Sequence, residues 1–389
     1  MRIILDIETN LAHDKIWCVV TREVETDLVL VWDEPAGLQF YMKHTSEIIA
    51  HNGIFFDFPV LKRVWGITVK KSQVVDTLVL SRLYNPSLED GHSLESWGNR
   101  LGFEKMDYKK AWLDELTFED NGNPNSFRKF VPYKDGDWFN KPNMKILKKY
   151  CIQDTVVTKK LYEHLTQEMQ NGYSKESIKL EHEVAIIIAE QERNGFKLNQ
   201  AGALQLLSVL KTKLDTIQVE MASIFPDKVT TGRVHKKSGK PLKDIIEPFN
   251  PGSRQQIAER LIEKGWKPKK RTEKGSVIVD EEVLASLDYP EAKALTEYMM
   301  LQKRIAQIDS WLEAVGKDGR VHGRVITNGA VTGRMTHMSP NMAQVPNSGS
   351  PYGHECRDLW IVEKGYKLVG IDASGLELRM LAHYMNDNV

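Results

Sequence analysis

Two carboxylates inside a short apolar run constrain this chain more than any other feature. The run is Ile3-Ile4-Leu5-Asp6-Ile7-Glu8-Thr9. Such a run predicts a buried central strand. Residues two apart on a strand point to the same side, so Asp6 and Glu8 share one face. Two like charges side by side in a buried setting are costly unless a cation neutralises them. Hard oxygen donors suit Mg²⁺ or Mn²⁺, which makes a divalent-metal site the economical reading. A solvated strand end is the bland alternative, and the motif alone does not separate the two.

A chain of 389 residues exceeds what one core usually supports, so two or three domains are expected. No apolar stretch reaches the roughly 18 residues needed to cross a bilayer, and Met1-Arg2 leads straight into the strand without a secretory segment. This reading has no membrane partner. Cys18, Cys151 and Cys356 lie far apart without metal-ligand spacing, which predicts free thiols in a reducing cytoplasm. Formal net charge is zero, yet residues 201–280 hold 16 Lys/Arg against 9 Asp/Glu. That local excess is a candidate phosphate-binding surface.

The first part of the chain predicts strands near Arg2–Ile7, Trp17–Val20 and Leu28–Trp32, forming a meander that leads into an α/β layer. Ile48-Ile49-Ala50 is a further short strand. His51-Asn52-Gly53 is turn chemistry, and Phe55, Phe56 and Phe58 open a helix carrying Asp57. Capping that helix is an ordinary role for Asp57. A strand-to-helix segment spans 74–82, a helix capped by Ser93 follows, and 114–140 reads as a long polar surface loop. The helix predicted over 143–170 places Tyr150 and Asp154 on one face, which an exposed hydrogen-bonded pair would explain equally well.

Together DIE at Asp6–Glu8, HNGIFFD at His51–Asp57 and YCIQD at Tyr150–Asp154 resemble, in order and spacing, the three motifs of the DEDDy 3′→5′ exonucleases. The resemblance covers about the first 170 residues. It implies a ribonuclease H-like α/β domain, a mixed sheet flanked by helices, over 1–172. It also implies two Mg²⁺ or Mn²⁺ ions held by Asp6, Glu8, Asp57 and Asp154, with Tyr150 orienting the attacking water and Asn52 contacting DNA.

Beyond it, a helix over 176–195 resembles the one that leads family A DNA polymerases from exonuclease into thumb and palm. A second amphipathic helix spans 200–224, and 226–249 reads as a basic loop. A helix capped by Ser253, a short helix within 279–287 and a long one over 292–315 complete a helical thumb. Lysines on these helices are either a solvated face or phosphate contacts. Thr332-Gly333-Arg334, Pro340-Asn341 and Gln344 match the family A segment that lies along the minor groove of primer–template DNA. The match implies DNA contacts by Arg334, Asn341, Gln344 and Arg357. LVGIDASGLELRMLAHYM, residues 368–385, resembles polymerase motif A: a buried strand ending at Asp372, a turn and a helix. There Asp372 would bind catalytic metal, and Glu377 would pack under the incoming nucleotide's sugar.

The match is strongest to the replicative polymerases of short-tailed bacteriophages. It implies a connecting helix and thumb over 173–318, an incomplete α+β palm over 319–389, and a host bacterial cytoplasm. The stretch 229–248 is too short for the insertion by which some such polymerases bind thioredoxin, so thioredoxin is not an expected partner. Fingers and the motif with the second catalytic Asp are not in the sequence, which is the expectation for a split or truncated polymerase working with a second polypeptide. A free-standing DNA or RNA exonuclease and a non-catalytic DNA-binding module are the competing readings. The minor-groove segment and motif A weigh against the first, the intact carboxylate set against the second.

Overall fold

Strand β1 (Arg2–Thr9) lies at the centre of a five-stranded sheet, flanked by β2 (Ile16–Glu23) and β4 (Glu47–Ala50), with β3 (Val29–Trp32) and β5 (Val74–Asp76) at the edges. This computed structural model describes residues 1–116, 133–232, 235, 238–241 and 243–386. β1, β2 and β3 pair antiparallel as the expected meander, whereas β4 runs parallel to β1 and β5 parallel to β4. In the β1–β2 register Asp6 faces Val20 and Glu8 faces Cys18.

Alternation along β1 decides which neighbours each residue meets. Ile3, Leu5 and Ile7 enter a core with Leu38 of α1 (Pro35–Lys43) and Phe58 of α2 (Asp57–Val60). Ile4 points the other way. It joins Ile49, Leu80 of α3 (Thr77–Tyr84), Trp97 of α4 (Leu94–Leu101), and Val157 and Leu161 of α7 (Met144–Glu168). Asp6 and Glu8 share parity with Ile4, so the strand aims both carboxylates at the face that α7 covers. Ile4 and Ile49 are fully buried. Truncating such a side chain to Ala costs about 2–5 kcal/mol.

The chain divides into two compact units, the first comprising Met1–Asn194 with Arg324–Met338 and the second the remainder. The first therefore runs past the expected boundary at 172. The cause is α8 (Lys175–Asn194), whose Ala185 and Ala189 are buried in the core below Ile3 and Leu5. Within the same unit the hairpin β10 (Arg324–Ile326) and β11 (Thr336–Met338) is tied to α8: the Val325 N–H donates to Glu192 Oε1 (2.6 Å), and Asn328 Nδ2 donates to Glu181 Oε2 (2.7 Å).

The loop expected over 114–140 is different where it is described. Helix α5 (Tyr108–Leu116) reaches into it, and α6 (Asp137–Asn140) forms at its end. Trp138 and Phe139 pack with Tyr108, Trp112, Tyr133 and Tyr150, so its aromatic residues build a small core of their own. Residues 117–132 of the expected loop lie outside the described ones.

In the second unit, α9 (Gln200–Ile224) packs on α12 (Pro290–Glu313) around Leu210, Met221, Leu295, Ile308 and Trp311. Between them α10 (Arg254–Glu263), capped by Ser253, and α11 (Glu281–Ala285), capped by Asp280, complete the helical layer. A three-stranded sheet joins β6 (Phe196–Leu198) to β9 (Arg320–Val321) and β12 (Trp360–Ile361), the last preceded by α13 (Gly353–Asp358). The expected loop over 226–249 instead pairs β7 (Lys228–Thr230) with β8 (Ile245–Glu247), because β-branched residues at both ends find each other in antiparallel register.

The strand expected before Asp372 is not formed. Leu368, Val369 and Ile371 are exposed, Ile371 at 94%, and only the helix α14 (Leu376–Met385) follows the pattern read from the sequence. No described strand pairs with this segment, and an extended run without a ladder partner has nothing to bury its backbone or its side chains.

Candidate nuclease and DNA-contact residues

Three segments of the first unit converge on one acidic cluster. β1 supplies Asp6 and Glu8, the turn after β4 supplies Asp57, and α7 supplies Tyr150 and Asp154. Asp57 does not cap its helix. Phe56 holds the cap position without a side-chain hydrogen bond, while Asp57 is the first helical residue and almost fully buried.

The turn that presents Asp57 is built on a carboxylate that the sequence did not single out. Asp76, at the end of β5, is fully buried and accepts from the backbone N–H of Asn52 (2.9 Å), Ile54 (3.0 Å) and Leu78 (2.9 Å). Its own N–H donates to His182 Nε2 of α8 (2.9 Å), and that ring's Nδ1–H donates to Ile178 O (2.8 Å). Asn52 sits at φ 67°, so the structure gives it a turn-forming role. A Cβ on Gly53 would lie 2.6 Å from that of Ala50 and 2.9 Å from the Phe58 ring, so the chain passes there only as glycine.

One ligand atom each from Asp6, Glu8 and Cys151 lie within 4.8 Å of one another. Burial pushes the Asp6 carboxyl up to about 7, with the Asp154 charge adding to the effect. Glu8 is held well above its usual range by burial and by the charges of Asp6 and Asp154. Asp57 is raised by burial, then by Asp6 and Asp76. Asp154 is raised by burial against the opposing pull of Lys105. Carboxylates so crowded that Asp154 raises Asp6, and Asp6 and Asp154 raise Glu8, form a site that a cation would relieve. Asp154 Oδ1 is buried and finds no hydrogen-bond partner, the kind of orphaned oxygen that a metal ligand shows before its ion arrives. The donor set, almost entirely carboxylate oxygen, fits Mg²⁺ or Mn²⁺.

Two further residues complete the cluster. The Cys151 thiol donates to Asp6 Oδ2 (3.1 Å), and burial raises its pKa. Lys105 Nζ lies 2.7 Å from Asp154 Oδ2 and donates to the Tyr150 hydroxyl oxygen (2.8 Å). Burial alone would lower this ammonium, but Asp154 and Tyr150 outweigh it and hold it raised. Asp76 carries the signal of a strand-ending Asp before a helix, and Cys151 stands within YCIQD. Lys105 carries no such signal, standing in an irregular stretch 45 residues before Tyr150.

The DNA-contact residues of the sequence reading are distributed over both units. Arg334 belongs with the first and is exposed. In the second, the Asn341 side chain accepts from the Ala343 N–H (3.1 Å), the Gln344 carbonyl accepts from Gln307 Nε2 (2.5 Å), and Arg357 Nε donates to Pro346 O (2.8 Å). Asp372 and Glu377 are exposed, and the structure builds no acidic cluster around Asp372 among the described residues.

Comparison with known proteins places these observations in a lineage. The family model of DNA polymerase family A matches residues 227–389. The chain is 33% identical to the DNA-directed DNA polymerase of Enterobacteria phage T3, over 90% of this chain and 63% of that protein. It is 34% identical to that of Escherichia phage T7, over 87% of this chain and 62% of the relative. Identity to DNA polymerase I of Helicobacter pylori is 23%, over 91% of this chain and 35% of that protein. The fold resembles the POL domain of Pol1 from M. smegmatis, solved with DNA primer-template and dNTP, at a TM-score of 0.70 and 17% identity, covering 100% of this chain and 59% of that one. The chain thus spans about three-fifths of the length of its phage relatives. The family reading made from the motifs is supported where the comparisons reach: residues 227–389 match DNA polymerase family A, and the mixed α/β fold is similar to that of a Pol1 POL domain.

Proposed function

We propose that the first unit is a ribonuclease H-like 3′→5′ exonuclease that removes nucleotides from DNA 3′ ends, within a chain that serves DNA-directed DNA synthesis. One observation carries this reading: carboxylates from three separate motifs converge, with one buried Asp154 oxygen left without a partner. Family A DNA polymerases use divalent metal ions. Asp6, Glu8, Asp57 and Asp154 would hold Mg²⁺ or Mn²⁺, which when bound stabilises charge on the attacking and leaving oxygens of a phosphodiester. The protein's own part is positional. Asp76 fixes the turn that presents Asp57, α7 sets Tyr150 and Asp154 one helical turn apart, and the Tyr150 hydroxyl orients water towards the scissile phosphorus.

In the same reading, Arg334, Asn341, Gln344 and Arg357 contact DNA without choosing sequence, and the basic surface of 201–280 meets phosphates. Asp372 and Glu377 act in nucleotide addition, Asp372 supplying one of the carboxylates that a two-metal transfer uses. The test is a 5′-labelled single strand incubated with the purified chain and Mg²⁺. Progressive shortening from the 3′ end is expected. The double variant Asp6→Ala/Glu8→Ala, lacking both β1 donors, should lose several orders of magnitude in rate, as loss of metal catalysis implies. Undiminished degradation by that variant would refute the site.

A further inference from the structure

The ammonium of Lys105 is placed where the four-carboxylate reading leaves a question open. Nζ is 2.7 Å from Asp154 Oδ2 and 2.8 Å from the Tyr150 hydroxyl, and the Lys105 side chain is only 19% exposed. It also lies 4.8 Å from the centre of the Tyr150 ring. Lys105 is held in place by its surroundings: the Met106 N–H donates to Gln153 Oε1 (3.1 Å) and Gln153 Nε2 donates to Glu104 O (2.8 Å), so both backbone neighbours of Lys105 are pinned to α7. The ring of Tyr150 also packs against Tyr108, 5.4 Å between centroids.

An ammonium can only donate. Because Nζ–H donates into the phenol oxygen, one of its acceptor sites is filled and the phenolic hydrogen points away from Lys105, and the Tyr150 side chain also hydrogen-bonds Asp154. We propose that Lys105 is the positioning residue of the nuclease site: it fixes the Tyr150 hydroxyl as a hydrogen-bond donor on the Asp154 side of the cluster, where a reacting water would be held, and it serves as a cation for Asp154 that a divalent ion would displace. The inference rests on the exonuclease reading above and gives Lys105 two linked duties. One is orientation of Tyr150. The other is partial compensation of the carboxylates, whose mutual repulsion would otherwise oppose folding when no divalent ion is bound.

Both duties have separate readouts. If Lys105 acts through Tyr150, the two are one unit, and their losses do not multiply. Lys105→Met keeps length and apolar packing while removing the donor. Its kcat should fall by roughly 10 to 1,000-fold with little change in KM, as expected for loss of one positioned group. Tyr150→Phe should fall comparably, and the double variant should stay within about 3-fold of the worse single one. Lys105→Arg, which keeps a donor and a charge, should recover part of the rate. Independently of turnover, Mn²⁺ binding followed by electron paramagnetic resonance should tighten several-fold in Lys105→Met, because the competing ammonium on Asp154 is gone. Melting of that variant should be lowered in EDTA and restored by Mn²⁺, which also shows that it folds. Multiplying losses in the double variant, or unchanged Mn²⁺ affinity, would overturn the proposal while wild-type degradation and its dependence on Asp6 and Glu8 stand. If Asp6→Ala/Glu8→Ala leaves degradation intact, the exonuclease reading itself falls.

Discussion

Two stretches of this chain carry equally telling acidic motifs and end in opposite structural states. The run around Asp6 is the centre strand of a sheet, with apolar residues buried on both sides and carboxylates brought against α7. The run around Asp372 is an exposed segment with no described strand beside it, its Leu368, Val369 and Ile371 in solvent. The residue types barely differ. What differs is that β1 pairs with β2 along its length and with β4 over Arg2–Ile4, with apolar cores on both faces that bury its isoleucines. A motif therefore announces chemistry, while the geometry that makes the chemistry possible comes from whatever packs around it.

The largest effect expected from this contrast is on nuclease rate. Asp6→Ala/Glu8→Ala should abolish 3′ degradation by several orders of magnitude, whereas Asp372→Ala should leave it within about 2-fold, since no metal-linked rate depends on it in the first unit. A nuclease rate that follows Asp372 would break the separation of the two motifs.

Stability should show the same asymmetry at smaller scale. Asp76→Ala strips three backbone N–H groups of their acceptor and should cost on the order of 3 kcal/mol in denaturant unfolding, with nuclease activity lost through displacement of Asp57. Ile371→Asp in the exposed run should stay within about 0.5 kcal/mol. Equal costs at the two positions would mean that the second run is buried after all.

The pH dependence sharpens the first half of the comparison. Asp6 rises from an unfolded value near 3.8 to about 7, and Glu8 and Asp57 are raised as well, so the folded, metal-free protein binds protons more tightly than the unfolded chain. That contribution is fully present below the unfolded pKa and is lost as pH rises through about 7. Melting in EDTA should therefore fall by several degrees between pH 5 and pH 8, and Asp6→Asn should flatten the fall. Mg²⁺ should restore stability at the higher pH. A metal-free melting point that rises over this interval would show that the carboxylates are not crowded.

The smallest effect concerns the basic surface of the second unit. Lys270 is paired with Glu282 (3.3 Å), and Arg271 Nη1 donates to Gly275 O (2.8 Å), which leaves Lys269 as the better candidate for a phosphate contact. Lys269→Glu should reduce the log–log salt slope of duplex binding by about one, with a smaller change for Lys270→Glu. An unchanged slope for both would make this patch a solvated face.

Residue order alone determined the parity that puts Asp6 and Glu8 on one face, the caps at Ser93 and Ser253, and the helical spacing of Tyr150 and Asp154. These depend on neighbours a few positions away, so a local pattern contains them. The same holds for the family resemblance, which rests on short motifs. Tertiary structure decided the rest. α8 joins the first unit because His182, Ala185 and Ala189 meet Asp76 and the sheet, partners a hundred or more residues distant. The aromatic residues over 133–139 form a core instead of a loop because Tyr108, Trp112 and Tyr150 are there to receive them. Lys105 reaches Tyr150 across 45 residues of sequence. Burial, and with it every raised carboxylate pKa, arises only when distant segments exclude water together, and no window of the sequence contains that event.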